Sequence, residues 1–182
     1  GVVVYFMPGN RDFLLGTAFA AQSGCHLLTD DFHRIDCYGT PTVLTHGDGL
    51  CTDDIEHQQF RSQYRNPAWQ QAMLALPLAE RMRLANQYRQ LSQHNYQMKN
   101  PEIMDVNPTA VERVMQDYGV YQLIHGHTHR AAIHSGWLQQ HPTQRIVLAA
   151  WHTLGNALSY TPDRLELIYF AGKTPVPPQT AG

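Results

Sequence analysis

Long apolar runs are missing from this chain. Stretches such as residues 72–79 fall far short of the roughly 20 residues that cross a bilayer. Cysteine is scarce: Cys25, Cys37 and Cys51 are odd in number and no CxxC or CxxxC spacing occurs. That argues against a disulfide framework and a cysteine zinc site, and a reducing cytosol fits. Excess charge is missing as well. Lys and Arg number 13 against 15 Asp and Glu, a formal net charge of -2, so no broad basic surface invites nucleic acid as a main partner. Hydrophobic residues at 43% and charged residues at 15% read as globular, not disordered. No internal repeat is present.

A lead-in is missing too. Residue 1 is Gly and an apolar run, residues 2–7, follows at once. It reads as a buried strand without the basic flank of a signal peptide, and an internal start is the simplest account. Pro8-Gly9 ends that strand. Residues 13–22 read as a helix stopped by Gly24. Residues 32–37 and 42–45 read as a hairpin turning at Tyr38-Gly39. From Asp53 to Gln97 the chain is rich in Gln, Ala, Arg, Leu and Met, and Pro67 and Pro77 divide it into helices as first-turn residues. Asn107-Pro108 caps and starts another helix, and Gly119 ends it. Residues 121–124, 131–138, 145–150, 157–160 and 165–170 read as strands. Strands at both ends with an inserted helical block predict an α/β layered sheet. Residues 173–182, with Pro175, Pro177 and Pro178, read as a loose tail.

What is abundant is histidine, 11 in all, and placement matters more than number. His125-Gly126-His127-Thr128-His129 follows a strand, as do His46-Gly47-Asp48 and Gly9-Asn10-Arg11-Asp12. Imidazole suits Zn, Mn or Fe, and an Asn carbonyl is a neutral oxygen ligand for a hard or borderline dication. Taken singly, Asn10 reads as a turn residue, His46 as a hydrogen-bonded histidine, and an HxH pair as chance. Together, in this order and each at a strand end, they predict a metal site at the carboxyl edge of a sheet. His26, His33, His57, His94, His134 and His141 lack such context and read as surface or structural. Asp12 and Asp48 read as carboxylates that orient imidazole.

These three motifs resemble the calcineurin-like metallophosphoesterase superfamily. Asn10-Arg11-Asp12-Phe13-Leu14-Leu15-Gly16, Cys51-Thr52-Asp53-Asp54, Ile103-Met104-Asp105-Val106-Asn107 and Ala150-Trp151-His152-Thr153 sharpen the likeness. They resemble the UDP-2,3-diacylglucosamine pyrophosphatase family of lipid A biosynthesis over nearly the whole chain apart from the tail. The resemblance implies a layered β-sandwich flanked by helices over residues 1–172, with a helical lid at about 53–100. It implies two Mn2+ ions, with Asn10, His46 and His127 ligating one and His129 the other. It implies water attack at the α-phosphorus of UDP-2,3-diacylglucosamine, giving UMP and 2,3-diacylglucosamine 1-phosphate. Asn10, Arg11, Asp54, Ser92, Tyr96, Lys99 and His127 are the implied substrate contacts, and Arg11 the catalytic guanidinium, a bidentate grip on phosphate charge. The family pattern expects Asn four residues after Ser92; Tyr96 stands there, with Asn95 beside it.

The superfamily pattern also places an Asp-x-His and a further Gly-Asp ahead of Asn10, and residues 1–9 contain neither. Residues 1–182 alone are therefore expected to bind metal weakly and catalyse little, and their sheet to leave an unpaired edge. Met73, Leu74, Leu76, Leu78, Met82 and Leu84 read mostly as the core of a helical pair. With Arg81, Arg83 and Arg89 nearby, they also read as a lid resting on an anionic membrane surface. The resemblance favours a peripheral enzyme on the cytoplasmic face of the bacterial inner membrane. Two other functions stay open at this point: a general metal-dependent phosphoesterase, which has no need of Asp54, Ser92 and Lys99, and a non-catalytic metal- or nucleotide-binding remnant. A metallo-β-lactamase-like hydrolase would follow HxH with an Asp-His pair, whereas Arg130-Ala131 follows His129.

Overall fold

The computed structural model describes residues 1–100, 102–151 and 154–171, apart from the Tyr96 side chain. His152, Thr153 and the proline-rich tail from 173 to 182 lie outside the described residues. The chain is a mixed α/β protein that divides into two compact units. One comprises Gly1–Asp31 with His46–Val111, the other Phe32–Thr45 with Glu112–Gly182.

The second unit is built on a five-stranded sheet. Its strands are β3 (Phe32–Cys37), β4 (Thr40–Thr45), β5 (Gln122–His125), β6 (Ala132–Leu138) and β7 (His141–Val147), in the order β3-β4-β5-β7-β6. The three inner strands run parallel and the two outer ones antiparallel to their neighbours. Parallel strands buried on both faces need apolar residues throughout; Val43, Leu123, Ile146 and Val147 are fully buried there. Polar residues fix the register. Thr42, Gln122 and Gln144 sit opposite one another on three adjacent strands. The Thr42 hydroxyl donates to Gln122 Oε1 at 2.8 Å, and Gln122 Nε2 donates to Gln144 Oε1 at 3.1 Å. A one-residue slip would break both bonds and turn the apolar set to the other face. A separate antiparallel pair, β8 (Leu154–Tyr160) and β9 (Leu165–Ala171), completes the described part of this unit.

The hairpin turn is where the sequence placed it. Tyr38 and Gly39 both have left-handed φ, 53° and 87°, which matches the strand twist in a two-residue turn. A second such turn, Gln139-Gln140 with φ 48° and 70°, carries no Gly or Asn signal, and β7 consequently begins at His141 rather than Arg145. Pro142 is tolerated there because β5 first pairs with β7 at Gln144, so no β5 ladder bond is lost at the proline.

The first unit holds α1 (Thr17–Ser23), α2 (Ile55–Tyr64), α3 (Pro67–Ala75) and α4 (Leu78–Met98). Gly24 ends α1 in a left-handed conformation with its N–H on Ala20 O. Asp54 caps α2 by accepting from His57 N, and Asn66 caps α3 by accepting from Ala68 N and Trp69 N. Pro67 occupies the first turn of α3, whereas Pro77 is the N-cap of α4. Helix α5 (Pro108–Tyr118) starts after Asn107, whose side chain accepts from Ala110 N at 3.1 Å.

Two expectations fail in this unit. The opening run is not a buried six-residue strand. Only Tyr5–Phe6 is extended, as β1, paired in parallel with β2 (His26–Leu27), and Val2, Val3 and Val4 are 93%, 60% and 54% exposed. β-Branched residues made the run read as a strand, but propensity without a covering layer does not bury it. The apolar positions of the helical block are not a closed core either: Leu74, Leu78 and Met82 are exposed. The interior of this unit is instead Leu50, Cys51, Tyr64 and Val106.

The polar ladder of the sheet generates a stability prediction. Gln122→Ala removes both ladder bonds, although the Thr42 hydroxyl still reaches Thr40 O at 3.0 Å and Gln144 is exposed, and is expected to cost about 0.5–1.5 kcal/mol, read as a lowered urea midpoint. An unchanged midpoint would show that the ladder does not hold the register.

Candidate active site

Two chain turns of the first unit meet at Asn10 and His46. Asn10 stands in the turn after β1, and His46 directly after β4. His46 Nε2 lies 3.2 Å from Asn10 Oδ1. The approach depends on Gly9, where an added Cβ would stand 2.6 Å from His46 Cε1. Asp12 fastens the Asn10 turn by accepting from Gly9 N at 2.5 Å, so it holds backbone and is not seen orienting an imidazole. An amide oxygen and an imidazole nitrogen at this separation can share one borderline dication, and the residues fit such a group. Among the described residues no group of three or more His, Cys, Asp or Glu side chains is gathered for a metal.

Beneath His46 lies Asp48, 1% exposed, in the 3-10 turn Asp48–Leu50. Its Oδ2 accepts from Tyr64 Oη at 2.6 Å, Arg61 Nε at 3.1 Å and Arg65 Nη2 at 3.4 Å. Burial alone would raise its pKa. The Tyr64 hydrogen bond and the charges of Arg61, His46 and Arg65 outweigh that and hold the carboxyl well below the usual range. Burial and the Asp48 charge push the Tyr64 hydroxyl up, so it remains a donor. Arg61 and Arg65 also reach Asp31, at 2.6 and 3.8 Å. Asp31 begins the one Asp-x-His triplet in the chain, Asp31-Phe32-His33. That triplet follows Asn10 where the superfamily pattern places its own ahead of it, and its carboxylate is committed to the two arginines.

The expected substrate contacts of this unit sit in pairs. Arg11 Nη2 donates to Ser92 Oγ at 3.1 Å on the surface. Lys99 Nζ donates to Asp54 Oδ1 at 2.5 Å and lies 3.2 Å from Glu56. Burial opposes the Lys99 charge, but the bonds to Asp54 and Glu56 outweigh it and raise its pKa. Tyr96 lies on α4, its side chain outside the described residues; Asn95 is half-buried beside it.

His127 and His129 belong to the second unit, in the turn after β5. Both have left-handed φ, 62° and 60°, a conformation that costs a non-glycine residue roughly 1–2 kcal/mol and that clusters at functional sites. The turn is set by His125, which the sequence reading left without a role. Buried at the end of β5, its Nε2 accepts from Arg145 Nη1 at 3.0 Å. An arginine can only donate, so the proton sits on Nδ1 and is donated to Gly126 O at 2.9 Å.

Sequence reasoning also missed Gln58, Arg61, Tyr64 and Arg65. Their signal was the helical spacing of polar residues on one face of α2, in a segment whose composition suggested only a lid.

Gly9→Ala is expected to drive the His46 ring from Asn10 and to cost about 1–3 kcal/mol by overpacking. Unchanged urea stability with the ring still in place in a crystal structure would contradict the close approach.

No family model matches the chain. Similar proteins are nevertheless plain. The UDP-2,3-diacylglucosamine hydrolase of Nitrosococcus oceani is 50% identical over 163 residues, 90% of this chain and 65% of that protein. The one of Serratia proteamaculans is 46% identical over 170 residues, 93% of this chain and 70% of that protein. The one of Cellvibrio japonicus is 49% identical over 167 residues, 92% and 69%. The chain thus spans 65% to 70% of the length of these relatives. Identity at this level means that the chain belongs to the UDP-2,3-diacylglucosamine hydrolase family.

Proposed function

We propose that this chain serves hydrolysis of the pyrophosphate bond of UDP-2,3-diacylglucosamine, on a calcineurin-like metallophosphoesterase fold. Water oxygen bonds to the α-phosphorus, the bridging P–O bond breaks, and UMP and 2,3-diacylglucosamine 1-phosphate leave. The observation that carries the reading is the meeting of Asn10 and His46 beside Arg11, in a chain whose relatives bear that substrate in their names.

The ligand positions implied by the resemblance, Asn10, His46, His127 and His129, keep that role here, with two Mn2+ as the ions. When bound, such ions supply Lewis-acid polarisation of the phosphate and a lowered pKa for the attacking water. The chain's own residues supply the rest. Arg11 neutralises charge building on the phosphate oxygens, and its present acceptor, Ser92, is an exposed hydroxyl that substrate can displace. Asp54 and Lys99 hold each other across the start of α2 and the end of α4, so a polar substrate must enter or replace that pair. The turn that carries His127 and His129 has left-handed backbone at both residues, and His125 bonds to Gly126 O within it.

The proposal includes a peripheral position on the cytoplasmic face of the bacterial inner membrane, with residues 53–100 as a helical lid. No described helix is long and apolar enough to cross a membrane. Leu78 and Met82, 64% and 58% exposed, are one helical turn apart on α4, which suits contact with acyl chains or an anionic membrane surface. Of the basic residues assigned to that surface, Arg83 is occupied by Glu80 at 2.5 Å, so the apolar pair is the stronger support.

UMP release from UDP-2,3-diacylglucosamine by the full-length protein tests the reaction. Activity should require Mn2+, vanish with chelator, and fall by roughly 10²–10³ in Arg11→Ala, as on removal of a transition-state donor. Chelator-resistant turnover would sink the metal assignment. Separately, Leu78→Asp with Met82→Asp should weaken sedimentation with vesicles of anionic phospholipid; unaltered sedimentation would remove the surface role.

A further inference from the structure

Helix α2 presents one face to both turns that meet at the site. Gln58 Nε2 donates to Asp48 O at 2.8 Å and to Cys51 O at 2.9 Å. Arg61 and Tyr64 hold the Asp48 carboxylate from the side. Arg65 does something neither of them does. The same Nη2 that reaches Asp48 Oδ2 at 3.4 Å also donates to the Pro8 carbonyl at 3.0 Å. Pro8 is buried, two residues before Asn10, and Asp48 is two residues after His46. One guanidinium therefore links the Asn10 turn to the His46 turn. A ring contact reinforces the link: Phe13 stacks on Tyr64 with centroids 4.7 Å apart.

We infer that Arg65 is a positioning residue, a staple that sets the separation of Asn10 from His46. It touches neither ligand atom. It acts by fixing two backbone turns to one another through a planar group with several donors in rigid geometry. Coordinating side chains held 1 Å out of place lose much of their effect, and partners behind metal ligands carry tenfold to hundredfold changes in affinity. Lysine keeps a cation with three donors but carries it on a flexible stem without the planar fork. It can reach the same two acceptors but holds them less rigidly.

The inference rests on the proposed reading of Asn10 and His46 as ligands, and the test separates the two. Full-length wild-type, Arg65→Gln and Arg65→Lys proteins are compared, with Arg164→Gln, at an exposed arginine paired with Glu166, as a surface control. Calorimetric titration with Mn2+ reads the site. Hydrogen exchange of the metal-free proteins reads residues 8–12 and 46–50 directly. Arg65→Gln should weaken Mn2+ binding by about tenfold or more and speed exchange in both segments together, with Arg65→Lys between it and wild type. Arg164→Gln should match wild type in both readouts. Wild-type affinity and wild-type exchange in Arg65→Gln would overturn the staple. So would faster exchange in one segment alone, because a staple loosens both sides. If Arg65→Gln unfolds, the same comparison is made with Arg65→Lys, where an unchanged result overturns the inference. Failure of the wild-type protein to bind Mn2+ would defeat the ligand reading, and the exchange data would still decide whether Arg65 couples the turns.

Discussion

A buried carboxylate with three donors organises the first unit. Asp48 is removed from water, and an ionised group in that position survives only if it is paired and hydrogen-bonded. Tyr64, Arg61 and Arg65 meet that requirement. Their arrangement has a consequence beyond charge balance. Arg61 and Tyr64 lie on α2 and Arg65 is its C-cap, so a shift of the helix would draw all three donors from Asp48. Removing one partner from such a pair typically costs about 3–5 kcal/mol, which is large against the stability of a whole domain. The site turns are thus held by a structural interaction that takes no part in chemistry.

The groups proposed to face substrate are held more lightly. Arg11 with Ser92 is an exposed contact, and exposed polar contacts contribute little to stability. Lys99 with Asp54 is more enclosed. The difference suits a site in which the residues that must meet a ligand exchange partners on binding, while those beneath them do not. The second unit follows the same division. Buried His125 and half-buried Arg145 support the turn, and the two histidines proposed to act stand in strained backbone within it.

Local chemistry made much of this legible in the sequence. Tyr38-Gly39, Pro67, Asn107-Pro108 and Gly24 each announce a turn or a helix end through their own backbone preferences, and the structure has them there. The gathering of Asn10 and His46 at one site was legible from their strand-end placement and from the resemblance, whereas their 3.2 Å separation depends on tertiary contact. Other features had no local signal. The Gln139-Gln140 turn adopts left-handed backbone with residues that do not ask for it. The valines at 2–4 asked for burial and are exposed. The grip of α2 on Asp48 depends on which helix face meets which turn, and spacing alone does not name the partner.

Asn10 and His46 are proposed to share one metal ion. Anomalous diffraction from a crystal grown with Mn2+ tests this most directly. The account predicts a peak within coordination distance of both Asn10 Oδ1 and His46 Nε2. A Mn2+ peak elsewhere, with these two atoms still bonded to each other, would contradict it.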